Sequence, residues 1–176
     1  MRRQISGALL AAGTALAISA ATATPAVAAT TGSETFRGVL ETSGVSGDRT
    51  VISSIIVMKG VFSGTGRIVE VPNLPTDPDN VSRDDLVFAE GTFHLLTTNG
   101  DISFTLNPNS CLLRGTIQQT AVITGGTGQF AAASGTFTGT ASATALLPRN
   151  PDGSCSFLQP ALHEEDMVAG SGTLSF

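Results

Sequence analysis

Four side chains are of types that could move a proton or hold a substrate by hydrogen bonds: Glu41, Glu90, His94 and Gln119. Glu90 and His94 lie on either side of Thr92, at a spacing that puts all three on one face of a strand. Arg37 and Glu41 share a face in the same way. Such pairs act as acid and base when they face a dry cavity, and as cross-strand charge pairs when they face water. Gln119 is the polar member of an apolar face made by Leu113, Gly115, Ile117, Ala121 and Ile123. It reads either as a hydrogen-bond donor in a lumen or as a satisfied core amide. Arg114 falls on the opposite face and is expected outside. His94 and His163 are the only histidines, and neither sits in a metal or nucleophile motif. There is no Gly-x-Ser-x-Gly. These residues thus supply no metal-binding or nucleophile motif.

Those residues need elements to hold them, and the most informative stretch is Val122 to Phe137. An apolar strand runs into Gly125-Gly126-Thr127-Gly128, and a Thr-rich strand leaves after Ser134. Glycines in such a turn permit positive φ. Phe130 is the one large apolar side chain in the loop and is expected to plug the end of whatever the strands enclose. The glycines do not make a phosphate loop, which needs a helix directly behind them and, in the nucleotide-binding form, a Gly-Lys-Ser/Thr.

Alternation and turn residues predict eight strands and no convincing helix. They cover about 34–42, 50–58, 60–71, 86–97, 101–106, 112–124, 135–146 and 167–176, with Asn99-Gly100 as a hairpin turn. Residues 156–166 read equally as strand or as a helical turn. The fold class expected is all-β, an eight-stranded antiparallel closed barrel, in which Phe88, Phe104, Ile117, Phe130 and Phe137 line an apolar lumen. The second strand is apolar on both faces, which predicts a subunit contact on its outer side. The loop at 72–83 could cover the cavity mouth; its Asp and Asn residues lack the central glycine and final glutamate of an EF-hand, so a solvated acidic loop is expected rather than a calcium site.

Arg2-Arg3, the apolar run from Ile5 to Ala21 and Ala26-Val27-Ala28 predict a cleavable secretory signal peptide over 1–28, and hence a secreted protein. The remaining domain, 29–176, is long enough for one core. Without the leader its 7 basic and 14 acidic residues give −7. That argues against nucleic acid or an anionic membrane as partner, and the leader's apolar run is too short for stable membrane insertion. Cys111 and Cys155, each in a turn-rich segment of an exported chain, are expected to form a disulfide.

Ile123-Thr124-Gly125-Gly126-Thr127-Gly128-Gln129-Phe130, followed by Gly135, resembles the glycine signature shared by allene oxide cyclases and plant dirigent proteins. The resemblance implies a calycin-like barrel, often a dimer or trimer. It implies an apolar cavity that folds a flexible or reactive substrate into one product, with no metal or redox cofactor. Glu41 falls where allene oxide cyclases use a glutamate late in the first strand; Gln119 and Thr120 stand where dirigent proteins carry an Arg-Glu pair. The expected function is thus binding of an apolar small molecule and direction of its cyclisation or isomerisation. The alternative is a non-enzymatic ligand-binding or structural barrel.

Overall fold

A computed structural model describes residues 29–45 and 48–176; the expected signal peptide lies outside the described residues. The strands are β1 (Thr31–Val45), β2 (Asp48–Gly60), β3 (Gly64–Val71), β4 (Val81–Phe88), β5 (Gly91–Asn107), β6 (Leu112–Gly128), β7 (Ser134–Leu146) and β8 (His163–Ser175). Each strand pairs antiparallel with the next, and β1 pairs with β8, so the sheet closes into an eight-stranded barrel. Closure covers most strand edges, but β2 pairs with β3 only at Ile56, Val57 and Met58, and β5 beyond Asn99 pairs only with β6. Inward positions carry Leu40, Ile56, Leu86, Phe93, Ile123 and Phe137, the core that the alternating pattern supplies.

One end of the barrel is sealed. Phe130 is fully buried there and stacks on Phe93 with ring centroids 4.0 Å apart. Phe62 and Phe176 meet Phe130 edge-on at 5.0 and 5.4 Å, the arrangement that ring quadrupoles favour. The chain termini of the barrel meet at this end: Thr30 N–H donates to the Phe176 carbonyl at 2.9 Å, and Phe176 N–H donates to the Thr30 carbonyl at 3.1 Å. Glu34 is buried beside the plug and accepts the Phe62 N–H at 3.0 Å, which fixes the β2–β3 turn. Burial pushes its carboxyl above the ordinary range, against the backbone donors that favour the charged form.

Several boundaries differ from the sequence expectation. Asn99-Gly100 does not form a hairpin: β5 runs straight through it, and the extra residue is absorbed as a bulge opposite Gln118. The hairpin lies instead at Ala89-Glu90, inside the stretch read as a single strand over 86–97. Gly91 makes that turn possible, with φ of 151° and the Thr127 carbonyl pressed where a Cβ would stand. β6 continues through Gly128, so the turn expected at Gly125–Gly128 falls at 129–133. Gly60 closes β2 rather than opening β3.

Candidate functional site

The open end of the barrel leads into a lumen of about 300 Å³. Its floor is apolar, built from Phe36, Leu40, Ile56, Leu86, Phe93 and Phe137 above the phenylalanine plug. Nearer the mouth the lining turns polar. Arg49 comes from β2, Glu70 from β3, Asp84 from β4, Asn99 from β5, Gln119 from β6 and Asp166 from β8. A pocket that is greasy below and polar at the rim orients an amphipathic guest.

A bulge puts Arg49 in this ring. Glu41 pairs with Ser53 and Thr42 with Val51, so Ile52 has no partner. The extra residue reverses the inward–outward alternation of β2. Ile52 is thrown outside, 61 % exposed, and Val51 and Arg49 turn inward. Arg49 Nη2 then lies 2.6 Å from Asp166 Oδ2 and donates to Thr42 Oγ1 at 3.0 Å. Its Nε sits 2.9 Å from Glu164 Oε1, an ion contact without hydrogen-bond alignment. Burial raises the Asp166 carboxyl, and Arg49 opposes that by favouring its charge. Asp166 Oδ1 is buried without a hydrogen-bond partner.

Glu70 and Asp84 face each other as direct cross-strand partners. Glu70 Oε2 accepts the Val51 N–H at 3.1 Å, and Asp84 Oδ2 accepts the Ser82 hydroxyl at 3.1 Å. Burial pushes Asp84 up from its ordinary value, and the like charges of Glu70 and Asp85 push the same way. Across the mouth, Gln119 Nε2 donates to Asn99 Oδ1 at 2.7 Å. The ring thus combines one paired cation, Arg49, two carboxyls raised by burial, Asp84 and Asp166, a third carboxyl, Glu70, opposite Asp84, and the amides of Asn99 and Gln119. Such a set can donate to a developing oxyanion and accept a proton.

Of the residues singled out from sequence, Gln119, Ile117 and Phe137 line the lumen. Glu41 is on the outer face of β1, where its Oε2 accepts the Ser53 hydroxyl at 3.1 Å. His94 is outside too, with Nδ1 2.7 Å from Asp85 Oδ1. Glu90 is exposed in the β4–β5 turn at the plugged end, and its carbonyl accepts the Gln129 N–H. These three acid–base candidates are therefore not in the cavity: strand parity turns Glu41 and His94 away, and Glu90 belongs to a turn. Phe88 and Phe130 sit in the plug beneath the floor. Phe104 lies on a different wall altogether.

That wall belongs to a second cavity, of about 420 Å³, above the mouth. The β5–β6 hairpin extends beyond the barrel, and its bulge turns Ile102, Phe104 and Leu106 to the side on which the lumen opens. The segment after β7 faces them with Leu147, Phe157 and Ala161. The Cys111–Cys155 disulfide ties this segment to the tip of the hairpin. Leu147 N–H to the Cys111 carbonyl at 2.9 Å and Arg149 to the Asn109 carbonyl at 2.6 Å hold it as well.

Arg49, Glu70 and Asp166 escaped the sequence reading, and Asp84 entered it only as one of the acidic residues at the 72–83 loop. Asp84 and Asp166 carry a signal: each continues the inward alternation of its strand, Asp84 with Leu86 and Phe88, Asp166 with Val168 and Leu174. The expected strands begin at 86 and 167, which leaves both carboxylates outside them, whereas β4 begins at Val81 and β8 at His163. Arg49 carries none, since its inward direction depends on the bulge at Ile52. Compared with protein-family models, with curated proteins and with solved structures, the chain matches none.

Proposed function

We propose that this barrel is an exported protein that binds an apolar small molecule in its lumen and directs the molecule's cyclisation or isomerisation. The single observation behind this reading is the lumen itself: an apolar floor capped by a ring in which Asp84 faces Glu70. The walls hold a flexible chain bent, which lowers the entropy cost of bringing its ends together. Asp84, when it carries its proton, donates to a developing oxyanion; Glu70 accepts the proton that leaves; Gln119 supplies a further amide donor. The likeness of the Gly125–Phe130 stretch to allene oxide cyclases and dirigent proteins supports the reading, and the disulfide fits an oxidising compartment.

The test is to denature purified protein in organic solvent and identify what it releases, then to titrate fresh protein with the apolar dye N-phenyl-1-naphthylamine. One dye per barrel is expected, displaced by the released compound, and no binding in a lumen-filling Ala121→Phe variant of native circular dichroism. Absence of both a released compound and dye binding would overturn the proposal. Asp84→Asn separates the two forms of the reading. An enzyme keeps dye affinity and loses conversion of the compound, whereas a carrier returns the compound unchanged in both forms of the protein.

The outer face of β8, β1 and β2 supports self-association. Met167, Val39 and Ile55 form one cross-strand row, 55, 44 and 62 % exposed. A contiguous apolar row on the outer side of a closed barrel fits a dimer or trimer contact.

A further inference from the structure

We infer that the cavity above the mouth is the second chamber of one binding channel, and that its occupant is the far end of the same apolar molecule that enters the lumen. The inference rests on the lumen being a ligand site. Arg49, Ile117 and Ala143 line both spaces, so the two chambers share a neck rather than lying on separate surfaces. Arg49 marks the boundary atom by atom: its Nη2 meets Asp166, which lines the lumen, and its Nε meets Glu164, which lines the upper chamber. The order along the channel is apolar floor, polar neck, apolar upper walls. That order fits a chain-like molecule whose polar group lies part-way along, with hydrocarbon on either side.

Dimensions agree. From Ile123 on the floor to Leu113 in the upper chamber β6 spans ten residues, about 34 Å of strand, or roughly 25 Å along the axis of a tilted barrel. The upper walls are apolar on both sides. Phe104 is 62 % exposed and Phe157 49 % exposed, and both face this chamber. The roof is held down by the disulfide and by the Arg149–Cys155 bridge. A pinned roof loses little freedom when a guest arrives beneath it.

The experiment is displacement of N-phenyl-1-naphthylamine from the full chain by octan-1-ol, decan-3-ol, dodecan-5-ol and tetradecan-7-ol, which keep a seven-carbon arm on one side of the hydroxyl and lengthen the other. Affinity should rise by about fourfold per methylene through the whole series, the gain expected for each CH2 removed from water. In F104S/F157S, whose substitutions fall on exposed side chains, octanol should bind within about twofold of the parent and the rise should stop beyond decanol. Opening the roof with C111A/C155A should flatten the same part of the series. Parallel series in parent and variants would overturn the second chamber while leaving the lumen standing. Failure of octanol to displace the dye from the parent would overturn the lumen reading itself. A changed oligomeric mass of F104S/F157S by light scattering would assign these side chains to a subunit contact and overturn the inference too.

Discussion

Asp84 and Asp77 show how environment alone sets two aspartates against each other. Burial first, and then Glu70 and Asp85, raise Asp84 above its ordinary 3.8. The folded state therefore holds that proton more tightly than the unfolded chain does. Its contribution to stability is complete below pH 3.8 and is lost as pH climbs through the raised value. Asp84→Asn removes that loss, so the melting temperature of the parent should fall relative to the variant's as pH climbs above 3.8. Superimposable melting-temperature profiles would refute the assignment. Asp77 behaves in the opposite sense: the Arg83 hydrogen bond and the Leu74 N–H bring it down to about 2. It helps above pH 3.8 and is lost as pH falls toward 2, a small effect for an ion pair in a surface loop. The outward residues give a control. E41Q, E90Q and H94Q should each leave dye affinity within about twofold of the parent, since surface changes perturb little. A larger loss in any of them would place that residue's influence inside the lumen after all.

At the scale of elements, the bulge at Ile52 is the device that builds the polar ring. Arg49→Met keeps the bulge but removes the cation, which strands Asp166 and Glu164. Urea unfolding at neutral pH should show a loss of about 1–3 kcal/mol, the cost of leaving buried polar groups unpaired. I52S alters only the exposed bulge residue and should stay within about 0.5 kcal/mol of the parent. Equal stability of the two variants would show that Arg49 does not neutralise the ring. The same bulges mark the limit of what the sequence discloses. Alternation made the strands, their number and the closed barrel legible, and the lone Phe130 in a glycine-rich turn disclosed the plug. Gln119 was legible as the polar member of an apolar face. Arg49 was not, because a single unpaired residue inverts every direction behind it. Asn99-Gly100 misled for a related reason: glycine serves a bulge and a two-residue turn equally well, and only the partner strand decides between them.

At the scale of the molecule, the disulfide closes a loop across a sequence separation of 44. In the chain-entropy model that is worth about 4 kcal/mol, so C111A/C155A should lower unfolding free energy by about that amount. A change under about 1 kcal/mol would mean that the segment after β7 is held by its backbone bonds alone. If the Met167–Val39–Ile55 row is a subunit contact, Ile55→Lys should reduce the mass measured by light scattering to that of one chain. An unchanged mass in the variant, or a monomeric parent, would dismiss the contact. The pairing of Thr30 with Phe176 has a practical corollary. Both ends of the folded cylinder leave it beside the phenylalanine seal, as far as possible from the doorway. A reporter fused after Phe176, or a bead gripping the chain there, would leave the entrance clear for guests.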